Sequence, residues 1–175
     1  MSILVIDKSL ISTEAFLGSI ILPLALVFVL TAAIGFERQN IGKAAGLTSH
    51  IFVGISACGV AIMQRLMFEE TLELVRIGLQ VEASPSRIIA QVVTGIGFIG
   101  AGVILKDNSN MIKGITTAAT LFATAMIGII IGSGYLTLGG ILSFIIIIFL
   151  YSRDLSRKVN PFINHRLEKM EDHHQ

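Results

Sequence analysis

"QVVTGIGFIGAGVIL", residues 91–105, carries Gly95-x-Gly97-x-x-Gly100, with Gly102 two positions further on. In a soluble α/β protein that spacing marks the turn that holds a dinucleotide pyrophosphate. It then needs a strand before it, a helix after it and a βαβ unit around it. Here the glycines lie in the middle of the apolar run Ile88–Leu105, with no such context. The run has the length of a helix that crosses a bilayer. On a helix, Ala90, Thr94, Gly97 and Ala101 form one stripe of small residues, and Gln91, Gly95 and Gly102 form a second beside it. Helices in lipid gain no hydrophobic advantage from associating, so close backbone approach at small residues supplies their packing. The expectation is a central helix, touched on at least two sides.

Composition agrees with a membrane setting. Of 175 residues, 53% are hydrophobic and only 14% charged, against roughly 25% charged in a soluble domain. The net charge of +1 offers no basic field for nucleic acid. A single Cys58 in an apolar run gives no disulfide framework or cysteine zinc site. Charged residues divide the chain into five apolar stretches, about Phe16–Ile34, Leu47–Leu66, Ile88–Leu105, Ile115–Ile131 and Tyr135–Tyr151. The second is the least regular, because Ser49, His50 and Gln64 shorten its strongly apolar part. The first is too long, and its approach too acidic, for a secretory signal peptide, and Pro23 is expected to kink it.

Lys and Arg counts set the orientation. With the N-terminus outside, nine basic residues (Arg38, Lys43, Lys106, Lys113, Arg153, Arg157, Lys158, Arg166 and Lys169) are cytoplasmic. The other four are Lys8, Arg65, Arg76 and Arg87. The positive-inside rule then predicts an all-α polytopic protein with five transmembrane helices, N-terminus outside and C-terminus cytoplasmic. Residues 1–151 form the membrane domain and 152–175 a short tail, whose basic first part suits anionic lipid.

In the fourth stretch Thr116, Thr120, Thr124, Gly128 and Gly132 recur at every fourth residue, a row suited to a crossed contact with the third helix. The bland reading of these small residues is packing alone. The sharper one is a polar pathway lined by Gln91, Thr94, Thr116 and Thr120.

Three blocks, "GFERQNIGKAAGLTSH" (35–50), "SPSRIIAQVVTGIGFIGAGVIL" (84–105) and "KGITTAATLFATAMIGIIIGSGY" (113–135), in this order and on a five-span layout, resemble the MgtC/SapB family of bacterial inner-membrane proteins. The resemblance covers most of residues 15–150. It implies a plasma-membrane protein with five helices and an external N-terminus, tied to growth in low magnesium and, in pathogens, to survival inside host cells. It further implies regulation of other membrane machinery, the F-type ATP synthase included, over magnesium transport. Two positions depart from the family pattern: Thr48 stands where an Arg is usual, and Ser84 where an Asp is common. Many members carry a folded cytoplasmic domain after the last span, for which Ser152–Gln175 is too short.

The candidate partner or ligand contacts are Glu37, Arg38, Lys43, Gly46, His50, Arg87, Gln91, Thr94, Thr116, Thr117 and Thr120. Glu37 and Arg38 end the first span, where they pair with Lys43, with helical neighbours or with lipid phosphate, and serve as an interfacial anchor or as a structured site for a partner. Arg87 and Gln91 share one helix face; Gln91 needs an interhelical partner or lines the mouth of an outward cavity. His50 is an interfacial anchor or a proton-responsive group. Glu69, Glu70, Glu73 and Glu82 lie in an external loop and form a solvated face or a weak Mg²⁺ attractor. No carboxylate appears inside a span, which disfavours a coupled transporter. No enzyme constellation, cofactor or metal site is expected; the terminal His173 and His174 lack spaced partners. Partners are membrane lipid, other inner-membrane proteins and a second copy, as a homodimer through small-residue faces.

Overall fold

The first helix begins with a π-helical turn over Leu17–Ile21 and continues as α1, Leu22–Asn40. This computed structural model describes residues 16–79, 86–106 and 110–156. The remaining elements are α2 (Leu47–Arg76), α3 (Ser86–Val103), the strands β1 (Leu105–Lys106) and β2 (Ile112–Lys113), α4 (Ile115–Gly132) and α5 (Leu136–Ser156). The segments Leu17–Asn40, Leu47–Arg76, Ile115–Gly132 and Leu136–Leu155 are long and apolar enough to cross a membrane, and Arg87–Val103 is a shorter apolar helix.

Helix ends follow local chemistry. At the end of α1, Gly42 takes φ 71°; its N–H bonds the Gln39 carbonyl and the Lys43 N–H bonds that of Arg38. The α4 terminus repeats the pattern with Gly134 at φ 98°, Gly134 N–H to Ile131 O and Tyr135 N–H to Ile130 O. Both are glycine caps of the Schellman type, in which the left-handed residue satisfies the last carbonyls. The second cap turns the chain directly from α4 into α5.

Pro23, where a kink was expected, directly follows the π-turn, at the second residue of α1. Pro23 has no N–H, so the Ser19 carbonyl four residues back loses its regular helical donor. Arg65 Nη2, reaching across from α2, donates to that oxygen at 2.7 Å.

The centre of the bundle is α4 and not the third predicted span. α4 touches all four other helices, and its buried residues include Thr120, Leu121, Thr124, Ala125, Gly128 and Gly132. Its row of small residues faces α2, not α3. A Cβ on Gly128 would strike the Gly54 carbonyl, and one on Gly132 the Cys58 carbonyl; the backbones meet there because neither carries a side chain. The apolar core, with Val27, Ile34, Cys58, Ile62, Ile127, Ile131 and Leu150, lies among α1, α2, α4 and α5.

By contrast α3 is peripheral. Ala90, Gln91, Thr94, Gly95, Gly97, Ala101 and Gly102 are exposed, and a Cβ on Gly95, Gly97 or Gly102 would meet nothing. Ile96 and Gly100 are buried, Gly100 beside Ala118 of α4.

Two further expectations are corrected. α2 continues to Arg76, so Glu69, Glu70 and Glu73 stand on a helix rather than in a loop. α5 runs past Tyr151 to Ser156, so Arg153 and Asp154 belong to the bundle and not to a tail. The all-α expectation holds apart from the two short strands joining α3 to α4. Lys8, Glu82, Ser84 and the residues from Arg157 onward, with His173 and His174, lie outside the described residues.

Candidate functional site

α1 and α5 end on the same side of the bundle, and each brings an oppositely charged doublet there: Glu37-Arg38 and Arg153-Asp154. A helix C-terminus carries partial negative charge, which a cation in its last turn offsets; Arg38 and Arg153 hold those places. Their carboxylate partners are drawn inward with them. Glu37 and Arg38 are both 0% exposed, and Asp154 is 3% exposed.

The four side chains form one network. Arg38 Nε and Nη2 donate to the two carboxylate oxygens of Glu37. Arg38 Nη2 also reaches Asp154 Oδ2 at 3.3 Å. Arg153 Nη2 and Nε donate to Asp154 Oδ1 at 2.7 and 2.9 Å, and Arg153 Nη2 lies 3.6 Å from Glu37 Oε1. Two acids and two guanidinium groups therefore cancel, the condition under which buried charges are tolerated. Arg38 Nη1 is the exception, buried with no hydrogen-bond partner among the described residues. Of the partners expected for Glu37 and Arg38, Lys43 makes no ion pair with the described residues; the two pair with each other and with Arg153 and Asp154 of α5.

Next to this cluster in the fold, at the start of α2, His50 is fully buried and is not an interfacial anchor. Its Nδ1 lies 2.8 Å from the Gly46 carbonyl and its Nε2 3.3 Å from Thr120 Oγ1 on α4. A carbonyl only accepts, so the proton lies on Nδ1, which donates to Gly46; Nε2 of the neutral ring then presents its lone pair to the Thr120 hydroxyl, which also lies 2.9 Å from the Thr117 carbonyl. Gly46 opens α2, where the Gln39 side-chain oxygen accepts from the Leu47 N–H at 3.2 Å.

The other candidates are dispersed. Arg87, Gln91 and Thr94 are exposed on α3, and Thr116 is exposed at the start of α4. Gln91 makes no hydrogen bond within the described residues, and the Thr94 hydroxyl donates to its own helix at Ala90 O, 2.9 Å. Thr117 and Thr120 are buried. The structure thus joins Glu37 to Arg38, and His50 to Gly46, Thr117 and Thr120, but does not gather Gln91, Thr94, Thr116 and Thr120 around one path. Sequence reasoning missed Arg153, Asp154 and the contact of Arg65 with Ser19. The signal for the first two was a second charged doublet at the same end as Glu37-Arg38. No group of three or more His, Cys, Asp or Glu residues suited to a metal occurs among the described residues.

Comparison with known proteins places this geometry. Residues 24–158 match the MgtC family. The chain is 48% identical over 119 residues to the "Putative magnesium transporter YhiD" of Escherichia coli (strain K12), covering 68% of this chain and 53% of that protein. It is 37% identical over 114 residues to "Protein MgtC" of Brucella abortus (strain 2308), covering 65% and 42%. An uncharacterized protein of Haemophilus influenzae is 36% identical over 110 residues, covering 63% and 45%. The chain spans about half the length of these curated relatives. No solved structure matches it. With the match running from the first turn of α1 past the end of α5, the chain belongs to the MgtC family.

Proposed function

We propose that this protein is a non-enzymatic, multi-pass protein of the bacterial inner membrane that serves adaptation to scarce magnesium or a related stress. It acts by binding other membrane proteins through its helix faces, with the F-type ATP synthase as the first partner to test. The names of the relatives support the magnesium link, and the charge count supports five spans with the N-terminus outside.

The observation that carries the reading is the open face of α3. Ala90, Thr94, Gly97 and Ala101 lie exposed along one side, and Phe98 projects beside them at 82% exposure. Small residues with a neighbouring aromatic knob form the kind of surface on which a second helix packs in lipid. A transport path between α3 and α4 has weaker support, because Gln91, Thr94 and Thr116 face outward while Thr120 turns to His50 on α2.

Ion flux through the purified protein in proteoliposomes tests the choice, with Mg²⁺, K⁺ and protons under an imposed potential. The regulator reading expects no saturable flux from folded, inserted protein. Saturable flux that falls in Thr120→Val would transfer the function to transport.

A further inference from the structure

α3 presents two bare stripes, and they differ in what they leave unpaired. Along the first, the Thr94 hydroxyl is bonded within its own helix, at Ala90 O. Along the second, Gln91, Gly95, Phe98 and Gly102 are all exposed, and the Gln91 amide has no hydrogen-bond partner among the described residues. The branched side chains of Ile89, Val92, Val93 and Ile96 meanwhile pack inward, against α2 and α4. The helix therefore turns an amide, and not its aliphatic side, away from the protein. Arg87, one turn nearer the start of α3, can keep its charge in water. Gln91 lies a turn further in, where an amide without a partner is costly.

The second stripe is also a seam. Its residues follow one another by four, three and four positions, so that Gln91 and Phe98, and Gly95 and Gly102, are each seven apart. That is the heptad spacing at which two helices stay in contact along one line. Phe98 is 82% exposed. It stands between Gly95 and Gly102, and a Cβ on either glycine would meet nothing. One seam thus bears a knob and, on both sides of it, a hollow that would receive one.

We propose that this seam binds a second copy of the chain, α3 against α3, about a two-fold axis along the membrane normal. The inference rests on the reading of α3 as a partner face and names the partner for one of its two stripes. Self-complementarity selects the occupant. Under a two-fold axis each patch meets the same patch of its partner. A glutamine amide carries two donors and an acceptor, so Gln91 and the partner's Gln91 satisfy each other. Each Phe98 ring lies over the glycine backbone of the other copy, an approach that a larger residue would prevent. The seam bears no charge that would select an acidic or basic partner. α3 packs chiefly on α4 and only sparsely on α2, so its outer side is open to a second copy, and the stripe of Ala90, Thr94, Gly97 and Ala101 stays available to another protein.

The test is disulfide crosslinking of the full chain in native membranes. Cys58 is fully buried and stays in place. Gly95→Cys and Gly102→Cys put a thiol on the seam, and Gly97→Cys puts one beyond it; an added Cβ meets nothing at any of the three. Mild oxidation is expected to give a disulfide-linked dimer from both seam variants and none from Gly97→Cys or the wild type. In a second measurement, sedimentation in one detergent, Gln91→Leu should weaken self-association by about tenfold without moving the unfolding midpoint. Absence of a dimer from the seam variants would overturn the proposal, as would a dimer from Gly97→Cys alone or association unchanged in Gln91→Leu. Seam variants that stay monomeric while Thr94 crosslinks to another membrane protein would overturn the second copy and leave the regulator reading intact. A dimer at the seam with no adduct from Thr94 would support the second copy and count against that reading.

Discussion

Arg38 Nη2 on α1 meets Asp154 Oδ2 on α5 at 3.3 Å, across 116 residues of sequence and inside the protein. Close by, the Tyr151 hydroxyl of α5 makes a long hydrogen bond to the Ala33 carbonyl of α1, 3.5 Å. The charge network ties the end of α5 to α1 alongside that contact.

Removing one member leaves an uncompensated buried charge. Asp154→Ala takes a carboxylate from both arginines, and its cost is expected to be on the order of 3 kcal/mol. Arg38→Met/Asp154→Leu should recover most of that loss, because it deletes one charge of each sign and leaves Glu37 with Arg153, now 3.6 Å apart. Unfolding midpoints of the wild type and the two variants in one detergent check this. A double variant no more stable than Asp154→Ala would show that the network acts by some means other than charge balance.

At the opposite end of the bundle, Arg65 substitutes for the donor that Pro23 lacks. Arg65→Met leaves the Ser19 carbonyl unpaired in a low-dielectric setting, a loss of about 1–3 kcal/mol. Pro23→Ala returns a backbone N–H to that position. The Arg65 substitution should then cost less in the Pro23→Ala background than in the wild type, and a double-mutant cycle on unfolding free energy measures the difference. Additive effects would separate the two residues.

The His50–Thr120 contact predicts a graded series. Thr120→Ser keeps a hydroxyl at 3.3 Å from His50 Nε2 and should be near neutral. Thr120→Val strips the buried imidazole of that partner and should cost about 1 kcal/mol. Equal stability of the Ser and Val variants would mean that the hydroxyl contributes nothing to holding His50.

Much of this architecture was legible in the sequence. The five apolar stretches appear as five helices in the expected order, and the turns at Gly42 and Gly134 fall where charge or glycine interrupts them. The order of burial was not legible. α3 and α4 carry similar spacings of small residues, yet α4 is enclosed and α3 is open. In water, a buried and an exposed face differ in polarity; in lipid both are apolar, so hydropathy does not tell a packed stripe from a bare one. The charge cluster was half legible. Glu37-Arg38 stood out, but Arg153-Asp154 follows the last apolar run and reads as the start of a solvated tail. Only the continuation of α5 to Ser156 turns Asp154 inward.

That contrast between α3 and α4 gives the last prediction. Gly128 and Gly97 are both glycines in apolar helices, but a Cβ on Gly128 would collide with the Gly54 carbonyl while one on Gly97 would meet nothing. Gly128→Ala should therefore force α4 away from α2 and cost about 1–3 kcal/mol, as overpacking does elsewhere. Gly97→Leu should leave the unfolding midpoint nearly unchanged. Its effect should fall on association: with α3 as the partner face, crosslinking from neighbouring position Thr94 in native membranes should give a discrete adduct in the wild type that Gly97→Leu abolishes. An adduct that survives Gly97→Leu would remove this stripe from the contact surface, and a loss of fold in Gly97→Leu would mean that α3 is covered within the protein itself.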